Sequence, residues 1–361
     1  MVVLHTAMQS GTRTIIALAP DLLSEIIVST ARHIPILWVS GRRVYIDARK
    51  WYDLRKWDRD IMIIDKKLTS IVSDLVGNFD IIEGLRNDSN RTGVFKIKVN
   101  NELLYVKIHN RLSRWNPEVY AYKNWTSALE PFAPKLLHTF NCDNIFGIIV
   151  TQIQGKTINE FNITDDKILG ESYFKAGELL KILHCKYKGT YFGIPSADGT
   201  PYEKNTKINP VNYIVSSLES LLKDGYDKGL LSCGDKDLVN WCINNSNVFA
   251  DSVPVPTNWD YSQNNWMIDS KGSFTGVIDF ENMLWGIDVD SFGVINARYT
   301  YDKPRLRQAI FDGYELGNDT TRQVQLRIVS TKFAIADIAY GSSMSDQRIF
   351  ILARRFLDDL M

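Results

Sequence analysis

The residues with the clearest chemical potential are carboxylates and amides in the second half of the chain. Asp260 lies in the stretch Asn258–Asn265, and Asp279 follows fourteen residues after Asn265. Carboxylate and amide oxygens are hard ligands that suit Mg²⁺, which also keeps waters and binds phosphate oxygens. A further carboxylate beside such a site could orient a hydroxyl group and accept its proton. The stretch therefore indicates metal-assisted chemistry on a hydroxyl group.

A predicted β-hairpin would position these groups. The pattern predicts strands over Trp266–Asp269 and Phe274–Phe280, joined by a short polar turn. Asn265 precedes the first strand, and Asp279 ends the second. In an antiparallel pair, the start of one strand lies beside the end of the other. We therefore expect Asn265 and Asp279 to meet at the open end, next to the loop that carries Asp260.

A second hairpin is predicted upstream. Period-two alternation predicts strands over Val94–Val99 and Glu102–His109, joined by an Asn-Asn turn. Successive side chains of a strand point to opposite faces, so Lys107 shares a face with Tyr105 and His109. This strand would present a lysine to whatever lies over that face.

Glu118 is a candidate partner for that lysine. The sequence predicts a helix over Pro117–Leu129, and Glu118 would lie at its start. A lone lysine on a strand is usually solvated, and Glu102 and Glu130 are also near in sequence. The residues alone therefore leave the pairing of Lys107 open.

The order of elements predicts an α+β, bilobal fold. Residues 76–153 are strand-rich and end in an apolar strand over Ile145–Ile153, whereas residues 154–361 are mostly helical with one inserted hairpin. In this second part, Thr164 is the predicted cap of a helix that continues to about Cys185. Two further helices are predicted, over Val211–Lys223 and Asp235–Asn244.

Residues 1–75 form an additional segment, predicted to be α/β. Strands are predicted over Thr14–Ala19 and Pro35–Ser40, with a helix from Pro20 to about Arg32 between them. Its aromatic and basic residues favour docking onto the rest of the protein over ligand binding. We assign the segment no chemistry, although it is a plausible dimerisation element.

Composition excludes several classes of function. Lys+Arg and Asp+Glu are both 42, so the formal net charge is zero, whereas nucleic-acid or membrane-surface binding usually needs a basic excess. The four cysteines form no C-x-x-C pair and the five histidines are scattered, which argues against a zinc enzyme. The N-terminus lacks a signal-peptide pattern. We expect a cytoplasmic protein whose partner is a small molecule, not a nucleic acid or a membrane.

The motifs resemble a known group of enzymes. D-x-x-x-x-N from Asp260 to Asn265, a hairpin, and then I-D-F-E around Asp279 resemble the catalytic and metal-binding loops of protein-kinase-like folds. The I-D-F-E form is similar to that of the aminoglycoside phosphotransferase and choline kinase-like family. This resemblance implies that Asp260 is the catalytic base, that Asn265 and Asp279 hold Mg²⁺, and that Asp290 and Asn258 give structural support.

The same resemblance implies a nucleotide site between a β-rich N-lobe and a helical C-lobe. Lys107 and Glu118 would form the pair that positions phosphates in this fold. A turn in the place of the phosphate-covering loop would present backbone N–H groups, and the end of the apolar strand would form the hinge for the nucleobase. The turn residues are Ser89 and Asn90, and the hinge residues are Gln152 and Ile153.

One departure from the family divides the functional hypotheses. Relatives usually carry His-Gly-Asp where this chain has Asn258-Trp259-Asp260. The resemblance implies an ATP- or GTP-dependent kinase that phosphorylates a hydroxyl of an antibiotic, sugar, nucleoside or peptide-type metabolite, in resistance or biosynthesis. The alternative is a nucleotide-binding pseudokinase or scaffold that recruits a partner through residues 1–75. Asn can donate and accept hydrogen bonds as His does, which favours the working enzyme.

Overall fold

The computed structural model describes the backbone of five strands within residues 3–45, and residues 66–87, 92–142, 145–204 and 206–361. The first five strands form an antiparallel sheet whose spatial order follows the chain. They are β1 (Val3–Gln9), β2 (Thr12–Ala19), β3 (Leu22–Ser29), β4 (Ile36–Val39) and β5 (Arg42–Tyr45).

The helix expected from Pro20 to about Arg32 is wrong. β3 occupies most of that range and pairs with β2, with Arg13 opposite Val28 and Ala19 opposite Leu22. The run Ile26-Ile27-Val28 is β-branched, and such side chains favour strands. In so short a segment the spacing of apolar residues fits both the helical and the strand period. The β propensity of the residues and their pairing with β2 therefore decide the structure. The two predicted strands on either side are confirmed by β2 and β4.

The strand-rich part of the chain begins with a helix and continues as an antiparallel sheet ordered β6-β7-β8-β10-β9. The helix is α1 (Lys66–Val76), and the strands are β6 (Asp80–Asn87), β7 (Thr92–Val99), β8 (Glu102–His109), β9 (Leu136–Cys142) and β10 (Ile145–Thr151). The predicted hairpin is confirmed. Asn100 and Asn101 both have positive φ, at 47° and 74°, which suits the tight turns that join hairpin strands.

The helix that carries Glu118 begins and ends five residues earlier than predicted. α2 spans Leu112–Asn124, and a 3₁₀ turn follows at Thr126–Leu129. Pro117 lies inside α2 and not at its first position, where proline is most common. The extra turn forms because Arg114 and Trp115 donate backbone hydrogen bonds to Arg111 O. Glu118 therefore lies in the second turn of the helix and is buried.

The remainder is mainly helical, with short strands that carry the candidate site. Its helices are α3 (Asp166–Lys186), α4 (Pro210–Asp227), α5 (Cys233–Asn244), α6 (Asp290–Arg298), α7 (Pro304–Tyr314), α8 (Thr320–Ser343) and α9 (Gln347–Leu360). Its strands are β11 (Lys156–Thr157), β12 (Val255–Asn258), β13 (Trp266–Ile268), β14 (Phe274–Val277) and β15 (Met283–Gly286). A 3₁₀ turn at Ser246–Phe249 follows α5. The structure is thus α+β and bilobal, as predicted.

The cap of α3 differs from the prediction. Asp165, not Thr164, is the N-cap, and its Oδ1 accepts hydrogen bonds from the backbone N–H groups of Lys167 and Ile168, at 2.9 and 3.0 Å. Both residue types are good caps, so sequence alone could not separate adjacent candidates. The carboxylate also suits the positive end of the helix dipole.

Among the residues whose side chains the structure describes, from Lys67 on, two hydrophobic clusters hold the helices and strands together. The smaller packs α1 against the sheet through Leu68, Val72, Phe95 and other side chains. The larger fills the helical part and includes the fully buried Trp125 and Trp266. Within the described ranges, no helix is both long and apolar enough to cross a bilayer.

Candidate active site

The second hairpin brings the predicted metal ligands to one end. Trp266 of β13 pairs with Val277 of β14. Just beyond this pair, Ile278 N donates to Asn265 O at 2.9 Å. Asp279 follows Ile278 immediately, so the open end carries both Asn265 and Asp279, as predicted. Asp279 has φ 65°, a left-handed conformation that strained functional loops often contain.

Asn258 joins the loop that carries Asp260 to the backbone of Asp279. It ends β12, and its Oδ1 accepts a hydrogen bond from Asp260 N at 2.8 Å. Its Nδ2 donates to Asp279 O at 3.3 Å. Asn265 adds a second link, because its Nδ2 donates to Asp260 O at 2.8 Å. The amide of Asn258 therefore supports the loop as a donor and an acceptor at once.

Asp260 has a perturbed carboxyl group. Burial, and after it the charge of Asp279, raise its pKa to about 6, although Asn265 and Arg298 act in the opposite direction. A carboxylate with a pKa near neutrality is a better proton acceptor than an ordinary aspartate, yet is still ionised at pH 7. Burial and a like charge in one loop are typical of functional sites.

Lys107 lies at the centre of a buried cluster of carboxylates. Its Nζ is 2.9 Å from Glu118 Oε1, 2.6 Å from Asp279 Oδ1 and 3.1 Å from Glu281 Oε2. The other sequence neighbours are not its partners, since Glu102 is exposed and Glu130 lies beside Lys135. The pairing that the residues left open is therefore with Glu118.

The charges of this cluster support one another. Burial alone would lower the pKa of Lys107, but the three carboxylates hold it well above its ordinary value. Burial opposes ionisation of Glu281 as well, yet Lys107 and Arg114 lower its pKa to about 2. Burial raises the pKa of Asp279 despite Lys107. The lysine is thus held in its charged form although it is buried.

A cavity of about 390 Å³ opens beside Lys107 and Asp279. Gln152 and Ile153, at the end of β10, line it, and so does Glu118. The predicted hinge and the lysine pair therefore share one cavity, which is large enough for a small-molecule ligand. Ser89 and Asn90, the predicted phosphate-covering turn, lie outside the described residues.

No protein-family model matches the sequence, and no curated protein matches it significantly. Solved structures do match. An aminoglycoside phosphotransferase, APH(4)-Ia, in a complex with ADP and hygromycin B, aligns over 82% of this chain and 98% of its own, with a TM-score of 0.62 at 14% identity. This chain has the aminoglycoside phosphotransferase fold. An APH(2″) structure with GDP and kanamycin is also similar: it aligns over 81% of this chain and 98% of its own, with a TM-score of 0.57 at 14% identity. An APH(2″) structure with gentamicin aligns over 82% of this chain and 97% of its own, with a TM-score of 0.55 at 15% identity.

The donor set at the open end of the hairpin in this aminoglycoside phosphotransferase fold suits a magnesium ion. The Asn265 amide nitrogen is used for the bond to Asp260 O, which leaves its side-chain oxygen for a cation. Asp279 meets Lys107 through Oδ1, and its second carboxylate oxygen is also suitable. An amide oxygen and a carboxylate oxygen are few, hard ligands, as Mg²⁺ requires when phosphates and waters complete its shell.

Asp290, predicted to give structural support, is buried and makes several contacts. Its Oδ2 accepts hydrogen bonds from Tyr213 OH at 3.0 Å and from Ile287 N at 3.1 Å. Lys332 forms an ion pair with its other oxygen, and both side chains are buried. These contacts join the segment after β15 to α4 and α8.

The sequence analysis did not predict three residues that lie near the site. Glu281 belongs to the I-D-F-E motif, but nothing in the sequence indicated that it reaches Lys107. Arg114 Nη1 lies 2.7 Å from Glu281 Oε1 and 3.0 Å from Asn282 Oδ1. His109 Nε2 lies 2.7 Å from Glu118 Oε2. The strand alternation had placed His109 on the face of Lys107, which was the one available signal.

Asn258→Ala should lower both stability and turnover. The change leaves the partly buried Asp260 N without its acceptor, a loss of about 1 kcal/mol in the free energy of unfolding. Thermal or urea unfolding measures the first effect, and steady-state rates measure the second. Asn264→Ala is the control, because Asn264 is exposed in the same loop. Equal losses in the two variants would contradict a supporting role for Asn258.

Proposed function

We propose that the protein is a small-molecule kinase that transfers the γ-phosphoryl group of ATP or GTP to a hydroxyl group. The observation that carries this proposal is a connected set of contacts beside one cavity. Asn265 donates to the backbone of Asp260, and Asp279, at the same hairpin end, lies 2.6 Å from Lys107. Lys107, its partner Glu118 and Asp279 line the cavity. Phosphoryl transfer depends mainly on positioning and charge neutralisation, and these residues supply both.

The nucleotide would lie in the cavity between the sheet and the hairpin. Gln152 and Ile153 would face the base, and Lys107 would bind phosphate oxygens. Asn265 and Asp279 would hold Mg²⁺, which when bound neutralises the charge of the phosphates. Glu118 keeps Lys107 in place, at 2.9 Å. The solved neighbours with ADP and GDP support a nucleotide in a fold of this kind.

Asp260 would orient the acceptor hydroxyl and take its proton. Its backbone is fixed by the side chains of Asn258 and Asn265, so the carboxylate is held before the acceptor arrives. Its pKa of about 6 leaves it ionised at neutral pH and suited to accept a proton. The intact hydrogen bonds of Asn258 favour this working enzyme over a pseudokinase.

The acceptor would be a hydroxylated small molecule of low positive charge. The similar structures are complexes with hygromycin B, kanamycin and gentamicin. This chain has zero net charge, and Trp259 beside Asp260 is 42% exposed, so it offers a flat apolar face. Those features favour a sugar, nucleoside, peptide-type metabolite or weakly charged antibiotic over a polycation.

The test is phosphoryl transfer itself. We would incubate the protein with Mg²⁺ and ATP or GTP against a panel of hydroxylated metabolites and antibiotics, and follow new phosphate esters by phosphorus NMR. Asp260→Ala and Asp279→Asn are the matched controls. Transfer by the wild type that both variants lose supports the proposal. No transfer to any acceptor, together with no Mg²⁺-dependent hydrolysis of either nucleotide, would contradict it.

A further inference from the structure

His109 is a buried side chain between two carboxylates of the Lys107 cluster. It is 1% exposed, at the end of β8, two residues after Lys107. Its Nε2 lies 2.7 Å from Glu118 Oε2, and its Nδ1 lies 3.7 Å from Glu281 Oε2. Within the described part of the chain, neither ring nitrogen has a well-aligned hydrogen bond. A buried polar ring in that state needs a reason, since it loses hydration without full compensation.

The two carboxylates belong to different parts of the proposed machinery. Glu118 is on α2 and holds Lys107, whereas Glu281 follows Asp279 by two residues in the loop after β14. We propose that His109 is a positioning residue that bridges Glu118 and Glu281, and so fixes the lysine pair relative to the loop that carries Asp279. This inference rests on the proposed kinase function.

Charge supports the bridge. Burial would raise the pKa of Glu118, but Lys107 and His109 beside it lower the pKa below its ordinary value. Three carboxylates, Glu118, Asp279 and Glu281, surround Lys107. The ring lies between Glu118 and Glu281, whose like charges repel each other, and its Nε2 is within hydrogen-bond distance of Glu118.

A metal ion is the competing occupant of this cluster. The ligand atoms of His109, Glu118 and Glu281 lie within 4.8 Å of one another. Yet Lys107 is already 2.9 Å from one glutamate and 3.1 Å from the other, and Arg114 is 2.7 Å from Glu281. A dication would have to share carboxylates with two cations of the chain. The two ring nitrogens also face different carboxylates, which is the arrangement of a bridge.

The bridge is tested first by stability, without any nucleotide. In a double-mutant cycle of His109→Leu and Glu281→Gln, we expect the unfolding equilibrium constant to depart from multiplicative behaviour by about fivefold or more. Agreement with multiplicative behaviour within about twofold would overturn the bridge. Melting of the wild type should not change on dialysis against a metal chelator. Destabilisation by the chelator would also overturn it, in favour of a bound metal.

The second test uses kinetics and a matched histidine. His109→Leu should raise the KM for the nucleotide by at least about tenfold and leave the KM for the acceptor unchanged. His109→Gln, which keeps one N–H donor, should recover part of the loss. His138→Leu on β9 is the control and should change neither KM. A fall in kcat alone, with both KM values unchanged, would mean only partial unfolding and would overturn the positioning role.

The two proposals fail in different ways. A wild type that binds no nucleotide contradicts the kinase, and the bridge then loses the role that we give it, even if the stability cycle shows coupling. A wild type that transfers phosphate, with His109 variants of unchanged nucleotide KM, contradicts the bridge alone.

Discussion

Asp260→Ala should lower turnover by about 10²–10⁴-fold, the range expected when a positioned acid–base group is removed. Nucleotide affinity should change little, because Lys107, Asn265 and Asp279 are not altered. The effect arises because no other carboxylate of the catalytic loop can align the acceptor hydroxyl. Initial rates give kcat, and calorimetric titration gives the nucleotide Kd. Near-normal turnover would refute the assignment of Asp260.

Asp260→Asn adds a control that separates catalysis from folding. The folded-state pKa of about 6 lies above the ordinary value of 3.8, so the ionised carboxylate destabilises the folded protein. That destabilisation is present above pH 6 and disappears below about pH 4. The Asn variant should therefore be inactive but more stable than the wild type at pH 8, by up to roughly 3 kcal/mol. A variant less stable than the wild type at pH 8 would show that the loss of activity includes misfolding.

Lys107→Met should cause the largest loss of stability in the site. It leaves Glu118, Asp279 and Glu281 buried without their shared cation. Removal of one partner from a buried ion pair costs about 3–5 kcal/mol. Urea unfolding at pH 8 measures the loss. Lys98→Met on β7 is the matched control, because Lys98 is exposed, and it should change stability by less than about 0.5 kcal/mol.

The Lys107→Met deficit should depend on pH. Burial opposes ionisation of Glu118 and Glu281, but Lys107 lowers the pKa of both. The two ionised glutamates therefore stabilise the folded wild type at any pH above the pKa of a glutamate in the unfolded chain. In the wild type this stabilisation is lost only as the pH falls through the lowered pKa values that the two glutamates have in the folded protein. In the variant the carboxylates are free to protonate, which relieves their repulsion. The difference between wild type and variant should therefore be smaller at pH 5 than at pH 8. A constant difference would mean that packing, not charge, explains the loss.

Local patterns were sufficient for the elements that carry the site. Alternation and turn residues predicted both hairpins, and antiparallel geometry then placed Asn265 beside Asp279. Alternation also set Lys107 and His109 on one face of β8. These inferences succeeded because each depends on residues that are close in sequence and on a fixed strand geometry.

Contacts between distant segments could not be predicted. Glu281 reaches Lys107 across 174 residues, and no sequence period relates them. The contact of Arg114 with Glu281 was not predicted, because Pro117 suggested a later start for α2 and so left Arg114 outside the helix. The helix predicted from Pro20 to Arg32 was wrong although it depends only on residues that are close in sequence. Its apolar spacing fits helix and strand alike, and strand pairing with β2 decided it.

The most direct test of the central claim is calorimetric binding of ATP and of GTP, with and without Mg²⁺, to the wild type and to Asp279→Asn. It needs no knowledge of the acceptor. We predict that the wild type binds at least one nucleotide more tightly with Mg²⁺, and that Asp279→Asn loses the Mg²⁺-dependent part while remaining folded. If neither nucleotide binds the folded wild type, the cavity beside Lys107 is not a phosphoryl-donor site and the kinase proposal is wrong.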